Sequence, residues 1–135
     1  MSPPEMVSSH FSRAELACRH CGAMEFTPRA IERLEAVRVE FDAPMSISSG
    51  YRCPYHNSNV SATGRNGPHT VTGGDNITVD VLISGPAAYR LLAIFMRHGW
   101  SGLGFKQTGP HNNRFIHADR LWSAPGRPRP TIWGY

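Results

Sequence analysis

Three side chains in this 135-residue chain combine metal-ligating chemistry with positions at the borders of apolar, strand-like segments: His69, Asp80 and His117. Asp80 interrupts the run Val79-Asp-Val-Leu-Ile83. A carboxylate in such a run is either turned to solvent or paired, because burying an unpaired charge costs too much. Two imidazoles and one carboxylate with an open fourth position form the donor set of a catalytic zinc ion, which must keep a place for water. No compact motif such as His-Glu-x-x-His joins the three. On spacing alone, a solvent-facing Asp80 with two unrelated histidines reads the sequence at least as well.

A second constellation is Cys18-x-x-Cys21 with Cys53-x-x-His56. Three thiols and one imidazole at these spacings match a closed structural zinc site, which would pin the N-terminal turn beside Arg52. A Cys18–Cys21 or Cys18–Cys53 disulfide, or free thiols, are the alternatives. Three cysteines cannot pair completely within one chain, which disfavours a secreted disulfide scaffold.

The elements that must position these groups follow from caps and periodicity. Residues 1–10 read as a flexible N-terminal arm, and 11–135 as a single domain. Ser12 and Glu15 form a capping box for a short helix that Cys18-Arg-His-Cys21-Gly22 interrupts. Thr27 and Pro28 open an amphipathic helix over about 28–41, with Ile31, Leu34 and Phe41 on its apolar stripe. Met45-Ser-Ile-Ser-Ser alternates like a strand. Residues 54–76 are polar and without apolar period, the signature of a functional or disordered loop. Val79–Ile83 reads as a strand. Pro86 opens a helix with Leu91, Leu92, Phe95 and Met96 toward the core, and Gly99 ends it. Leu103-Gly-Phe and Phe115-Ile-His-Ala are further short strands, and 123–135 is a Pro- and Arg-rich tail. Trp122, Trp133 and Tyr135 read as core or closing contacts, with the lining of a substrate groove as the alternative. Helices and strands without a βαβ rhythm predict an α+β fold with a small antiparallel sheet flanked by helices.

Composition narrows the classes. With 40% hydrophobic residues, 18% charged residues and 13 aromatics, the chain can bury a core and is not disordered. No apolar run reaches the roughly 20 residues of a membrane span. The first residues lack the basic start and apolar stretch of a secretory signal. The formal net charge is +4, which suits anionic partners, cell-wall polymers among them. A zinc-ribbon-like nucleic-acid binder would also fit the cysteine spacing and the pI of about 9.3. Lys106 is the single lysine, however, and no helix face is basic, so nucleic acid is not the expected partner.

Taken in order, Ser49-Gly-Tyr-Arg-Cys-Pro54, a polar loop with His69, Val79-Asp-Val, Gly102-Leu-Gly-Phe and Phe115-Ile-His-Ala-Asp119 resemble the M15 family of zinc D,D-carboxypeptidases and L-alanyl-D-glutamate endopeptidases. The short M15 domains common in bacteriophages are especially similar. The resemblance runs from Phe11-Ser-Arg-Ala-Glu-Leu16 to the closing Arg-Pro-Arg-Pro-Thr-Ile-Trp. It implies a hedgehog/D,D-peptidase-like fold, with His69, Asp80 and His117 as ligands of one catalytic zinc ion. It also implies that Arg52 holds a substrate carboxylate, a task that suits a planar five-donor group. The implied activity is zinc-dependent hydrolysis of peptidoglycan stem peptides by a monomer, with neither membrane nor nucleic acid as partner. A phage endolysin made in the host cytoplasm and released to the wall fits the absent signal, with a virion-associated enzyme as the alternative. A peptidase-fold module that binds peptidoglycan, or serves a structural role, with weak or lost catalysis is the rival reading.

Two departures stand out. The family places Asp seven residues after His, whereas Asp80 follows His69 by eleven. This makes Asp75, in a Gly-rich turn, a rival ligand, although a longer loop can still close at small entropic cost. Many members also carry an acid three residues before the last ligand, where this chain has Arg114, which cannot accept a proton. The remaining candidates for the base are Asp119, on the same strand face as His117, and His111. Asp119 can equally serve by orienting a ligand.

Overall fold

The computed structural model describes residues 2–135. Ser12 caps α1 (Arg13–Leu16) in a reciprocal capping box with Glu15, satisfying two otherwise orphaned amides. Thr27 caps α2 (Pro28–Phe41) through a bond from the Ala30 amide, with Pro28 in the first turn where no amide donor is needed. The stripe of Ala30, Ile31, Leu34, Val37 and Phe41 is buried. Helix α3 spans Pro54–Val60, and α4 spans Gly85–Arg97. Among the described residues, no helix is long and apolar enough to cross a membrane.

The described residues form five strands, β1 (Ser46–Ser49), β2 (Thr78–Leu82), β3 (Gly102–Lys106), β4 (Phe115–Asp119) and β5 (Thr131–Gly134). They form one sheet in the order β1-β2-β4-β3-β5. Every pairing is antiparallel except β3 with β5, which is parallel. The fold is therefore α+β, with a mostly antiparallel sheet. Val79 and Val81 of β2, Ile116 and Ala118 of β4, and Leu103 of β3 join the core formed with α2 and α4. Because side chains alternate along a strand, Asp80, His117 and Asp119 point to the other face.

Three local expectations are corrected: the 54–76 loop, the tail and the buried stripe of α4. Residues 54–76 contain α3 and two short 3-10 turns, Gly64–Asn66 and Pro68–Thr70. The polar sequence hid this order because it is organised by one buried amide, Asn57, which donates to Thr63 and to the Gly64 carbonyl. The tail contributes β5, which seals the sheet edge at β3. Met96 is 56% exposed rather than core. The buried stripe of α4 runs through Ala88, Leu91, Ile94 and Phe95, and one residue beyond Phe95 the helix has turned by about 100°. Leu92 is only partly buried, for the same reason. At the other terminus, residues 5–10 carry defined contacts. Met6 bridges to Ser12, and Ser8 and His10 both bond the Glu35 carboxylate on α2.

Register assembles the functional face in rows. Asp80 stands opposite His117, His117 opposite Gly104, and Gly104 opposite Trp133. One row over, Thr78, Asp119, Gly102 and Thr131 line up the same way. The two glycines are there for space. A Cβ on Gly104 would run into the Trp133 indole, and one on Gly102 into Asp119 and Arg129. Gly104→Ala is expected to destabilise the fold by about 1–3 kcal/mol, as overpacking does, with a lowered melting temperature and altered Trp fluorescence. A variant as stable as the parent would show that the indole does not occupy this place.

Candidate metal centre

β2 and β4 present Asp80 and His117 side by side, and the Pro68–Thr70 turn brings His69 over the sheet. That turn is anchored through two of its carbonyls. Thr78 donates to the Pro68 carbonyl (3.0 Å), and the Arg52 amide donates to the His69 carbonyl (3.0 Å). One donor atom each from His69, Asp80 and His117 falls within a 4.8 Å group. His69 Nε2 lies 3.2 Å from Asp80 Oδ2, and His117 Nδ1 lies 3.1 Å from Asp80 Oδ1.

The far nitrogens of both rings are occupied. His69 Nδ1 lies 2.7 Å from the Gly50 carbonyl, which can only accept, so this nitrogen carries the proton and Nε2 keeps its lone pair toward Asp80. His117 Nε2 lies 2.8 Å from Asp119 Oδ2, which leaves Nδ1 for the centre. Outer partners of this kind orient metal-binding histidines. Burial pushes the His69 imidazole toward its neutral form, outweighing Asp80. Burial also works against protonation of His117, but its bonds to Asp119 and Asp80 prevail and raise it. A metal entering here would displace that proton. Asp80 is held well below the usual carboxylate range because the two imidazoles overcome the burial penalty. Two oriented nitrogens and an ionised carboxylate, all converging, fit a zinc ion.

Arg52 stands at the rim. Its Nε donates to Ser49 Oγ (3.0 Å), its Nη1 to Asn57 Oδ1 (3.2 Å), and its Nη2 lies 3.5 Å from Asp80 Oδ2. Three partners fix the guanidinium plane beside the metal ligands. The cleft above has a volume of about 490 Å³ and is walled by Val60–Thr63, Phe115, Trp133 and Tyr135. Trp133 packs against His117 with ring centres 5.0 Å apart, and Tyr135 packs against Phe115 at the same separation. Trp122, by contrast, is 81% exposed and lies outside this cleft.

The other expected residues are placed as follows. Asp119 is fully buried and receives His117 Nε2, Arg129 Nε (2.9 Å) and Arg129 Nη2 (2.8 Å). Burial alone would raise its pKa, but these partners hold it at about 2. With both oxygens so occupied, it faces His117 rather than the cleft. His111 sits in an exposed 3-10 turn and does not line the cleft. Arg114 bonds the Gly109 carbonyl and lines a groove with Ala88, Leu92 and Ile116, away from the ligands. Asp75 pairs with Arg29 and Arg33 instead of joining the metal group. Sequence reading missed Asn57 and Arg129. Neither carries a motif signal, because each acts only through a long-range contact.

The thiols of Cys18, Cys21 and Cys53 form a second group within 4.8 Å, and His56 is not part of it. His56 instead stacks on His20, with ring centres 5.9 Å apart. Burial would push the Cys18 thiol up, but the amides of Cys53, Cys21 and His20 outweigh it and bring it down to about 7.

Comparison with known proteins gives one positive finding. The sequence model of a peptidase family, described as Peptidase M15, matches residues 9–119. The matched span holds all three metal-centre residues, Arg52 and the cysteine group, and it stops short of Arg129, Trp133 and Tyr135. No curated protein matches the chain.

Proposed function

Because the chain belongs to the Peptidase M15 family, we propose that it is a zinc-dependent peptidase that hydrolyses the peptide stems of bacterial peptidoglycan, and that it acts as a phage endolysin. The observation that carries this reading is the convergence of His69, Asp80 and His117 beside a locked arginine in one cleft. When bound, zinc supplies an activated water and polarises the scissile carbonyl. His69 Nε2, Asp80 and His117 Nδ1 would hold it. Asp119 fixes the His117 tautomer through Nε2 and is itself clamped by Arg129. Arg52 offers its guanidinium to a substrate carboxylate, and stem peptides carry such groups. Trp133, Tyr135 and Phe115 form an apolar wall that restricts water around the reacting peptide. The net charge of +4 assists contact with an anionic wall.

One observation favours a second reading, in which the site binds stem peptides with little turnover. Beyond the metal group, Arg52 and the Tyr135 phenol are the titratable groups that line the cleft. No carboxylate or imidazole other than the ligands lines it among the described residues. Mass spectrometry of purified peptidoglycan incubated with the protein, with and without a zinc chelator, separates the two. Release of a defined peptide that stops on chelation is the expected result. Zinc-loaded protein that retains stem peptides uncut would establish the binding reading instead.

Arg52→Lys is expected to weaken substrate capture. A single ammonium cannot keep the bonds to Ser49 and Asn57 and also present a two-pronged donor. Charge-assisted bonds are worth about 1.5–3 kcal/mol, so KM should rise about ten- to a hundredfold while zinc content stays constant. Unchanged KM would remove Arg52 from the substrate site.

A further inference from the structure

We propose that Cys18, Cys21 and Cys53 hold a second zinc ion, at a structural site separate from the His69–Asp80–His117 centre. The three sulfurs come from two segments far apart in sequence and already lie within 4.8 Å of one another. Around a tetrahedral zinc with bonds of about 2.3 Å, sulfurs stand roughly 3.8 Å apart. Less than a bond length of contraction therefore closes the group. A disulfide would join only two of the three and would leave an odd thiol beside it.

The backbone around the cysteines is shaped for sulfur ligands. Cys18-Arg-His-Cys21-Gly22 closes as a tight turn in which the Gly22 amide bonds the Cys18 carbonyl (2.9 Å) and Gly22 takes φ +77°. That left-handed conformation is one a glycine adopts without strain. The Cys53 amide points at Cys18 Sγ (3.4 Å), and the His56 amide points at Cys53 Sγ (3.4 Å). Amide donors aimed at sulfur stabilise the thiolate form that binds metal. Three thiolates leave one tetrahedral position, to be filled by water or by a nitrogen of His20 or His56, whose rings stack on each other in the same two segments but stand outside the sulfur group.

The placement gives such an ion a purpose. Cys53 directly follows Arg52, and the segment before it is already clamped to the N-terminal turn. The Tyr51 amide bonds the Leu16 carbonyl (2.9 Å), Arg19 bonds the Ile47 carbonyl (3.1 Å), and Gly50 lies so close to Leu16 that no Cβ fits between them. A zinc ion across Cys18, Cys21 and Cys53 would complete this clamp covalently. It would hold the backbone that carries Arg52 and the Gly50 carbonyl that orients His69.

The test is metal content and the cobalt(II) spectrum of the full chain, purified under reducing conditions and saturated with metal. Wild type is expected to hold two zinc ions per chain. His117→Ala and Cys21→Ser should each hold one, and the double variant none. Cys21 is exposed, so its serine variant removes a ligand without opening the core, and circular dichroism checks that it folds. Cobalt-loaded wild type and His117→Ala should show sulfur-to-cobalt charge-transfer absorption in the near ultraviolet, and Cys21→Ser should lack it. Unchanged metal content in Cys21→Ser, or no charge-transfer absorption in wild type, would overturn the proposal. Neither readout depends on peptide hydrolysis, so failure of the peptidase reading and failure of this one are separate results.

Discussion

Asp80→Asn is expected to abolish metal-dependent hydrolysis while leaving the chain folded. Asp80 is the hub of the cleft, since one carboxylate meets His69, His117 and Arg52 within 3.1–3.5 Å. An amide of the same size keeps the packing between Val79 and Val81 but brings a neutral oxygen and an NH₂ group. That NH₂ group repels any cation held between the imidazoles. Loss of a Lewis acid removes several kcal/mol of transition-state stabilisation, or on the order of a thousandfold or more in rate. His117→Ala should do the same by removing Nδ1. The measurements are zinc content at the histidine centre and the rate of peptide release from peptidoglycan. Wild-type rates in both variants would place the chemistry elsewhere.

Asp119→Asn is the second large effect, and it separates two roles that the sequence left open. The carboxylate is completely buried, and the Arg129 side chain beside it is 6% exposed. Neutralising Asp119 leaves the guanidinium charge without its partner, at a cost of about 3–5 kcal/mol. For a domain of this size the melting temperature should fall on the order of 10–20 °C. The His117 ring also loses the acceptor that sets its tautomer, which should weaken metal affinity about 10–100-fold. The pH dependence has a definite sign. The native carboxyl titrates at about 2 and an unfolded one near ~3.9. Its stabilisation is therefore fully present above about pH 4 and disappears as pH falls through 2. Thermal unfolding of the variant should lack that component of acid sensitivity. If Asp119 were instead the catalytic base, the variant would keep its stability and its zinc and lose only rate.

The same buried pair shows why the base position was misleading in sequence. Asp119 and His117 are two residues apart on a strand, so a shared face was predictable. That this face is closed over Asp119 by Arg129 was not, because Arg129 arrives from a tail with no periodicity of its own. Arg114 was legible as a departure from the family pattern. Its direction, into the groove with Ala88 and Ile116, depends on the alternation of β4.

Much of the molecule is written in local chemistry. The capping box at Ser12–Glu15, the Thr27–Pro28 helix start and the apolar stripe of α2 need only neighbouring residues, and the sequence alone determined them. The candidate metal residues and Arg52 were also readable, as residue types in an ordered series of motifs. Tertiary structure alone decided how they meet. The extra length between His69 and Asp80 left Asp75 as a rival until the Thr78–Pro68 and Arg52–His69 bonds placed the turn. Helix α3 escaped notice because a buried Asn57, rather than an apolar stripe, organises the loop after it. Strand β5 escaped because it pairs with a strand nearly 30 residues earlier, where Gly104 makes room for its Trp133. The physical reason is common to these cases. Caps and periodicity act over one or two turns of chain, whereas a buried polar group is satisfied by whatever partner the whole fold brings within hydrogen-bond reach.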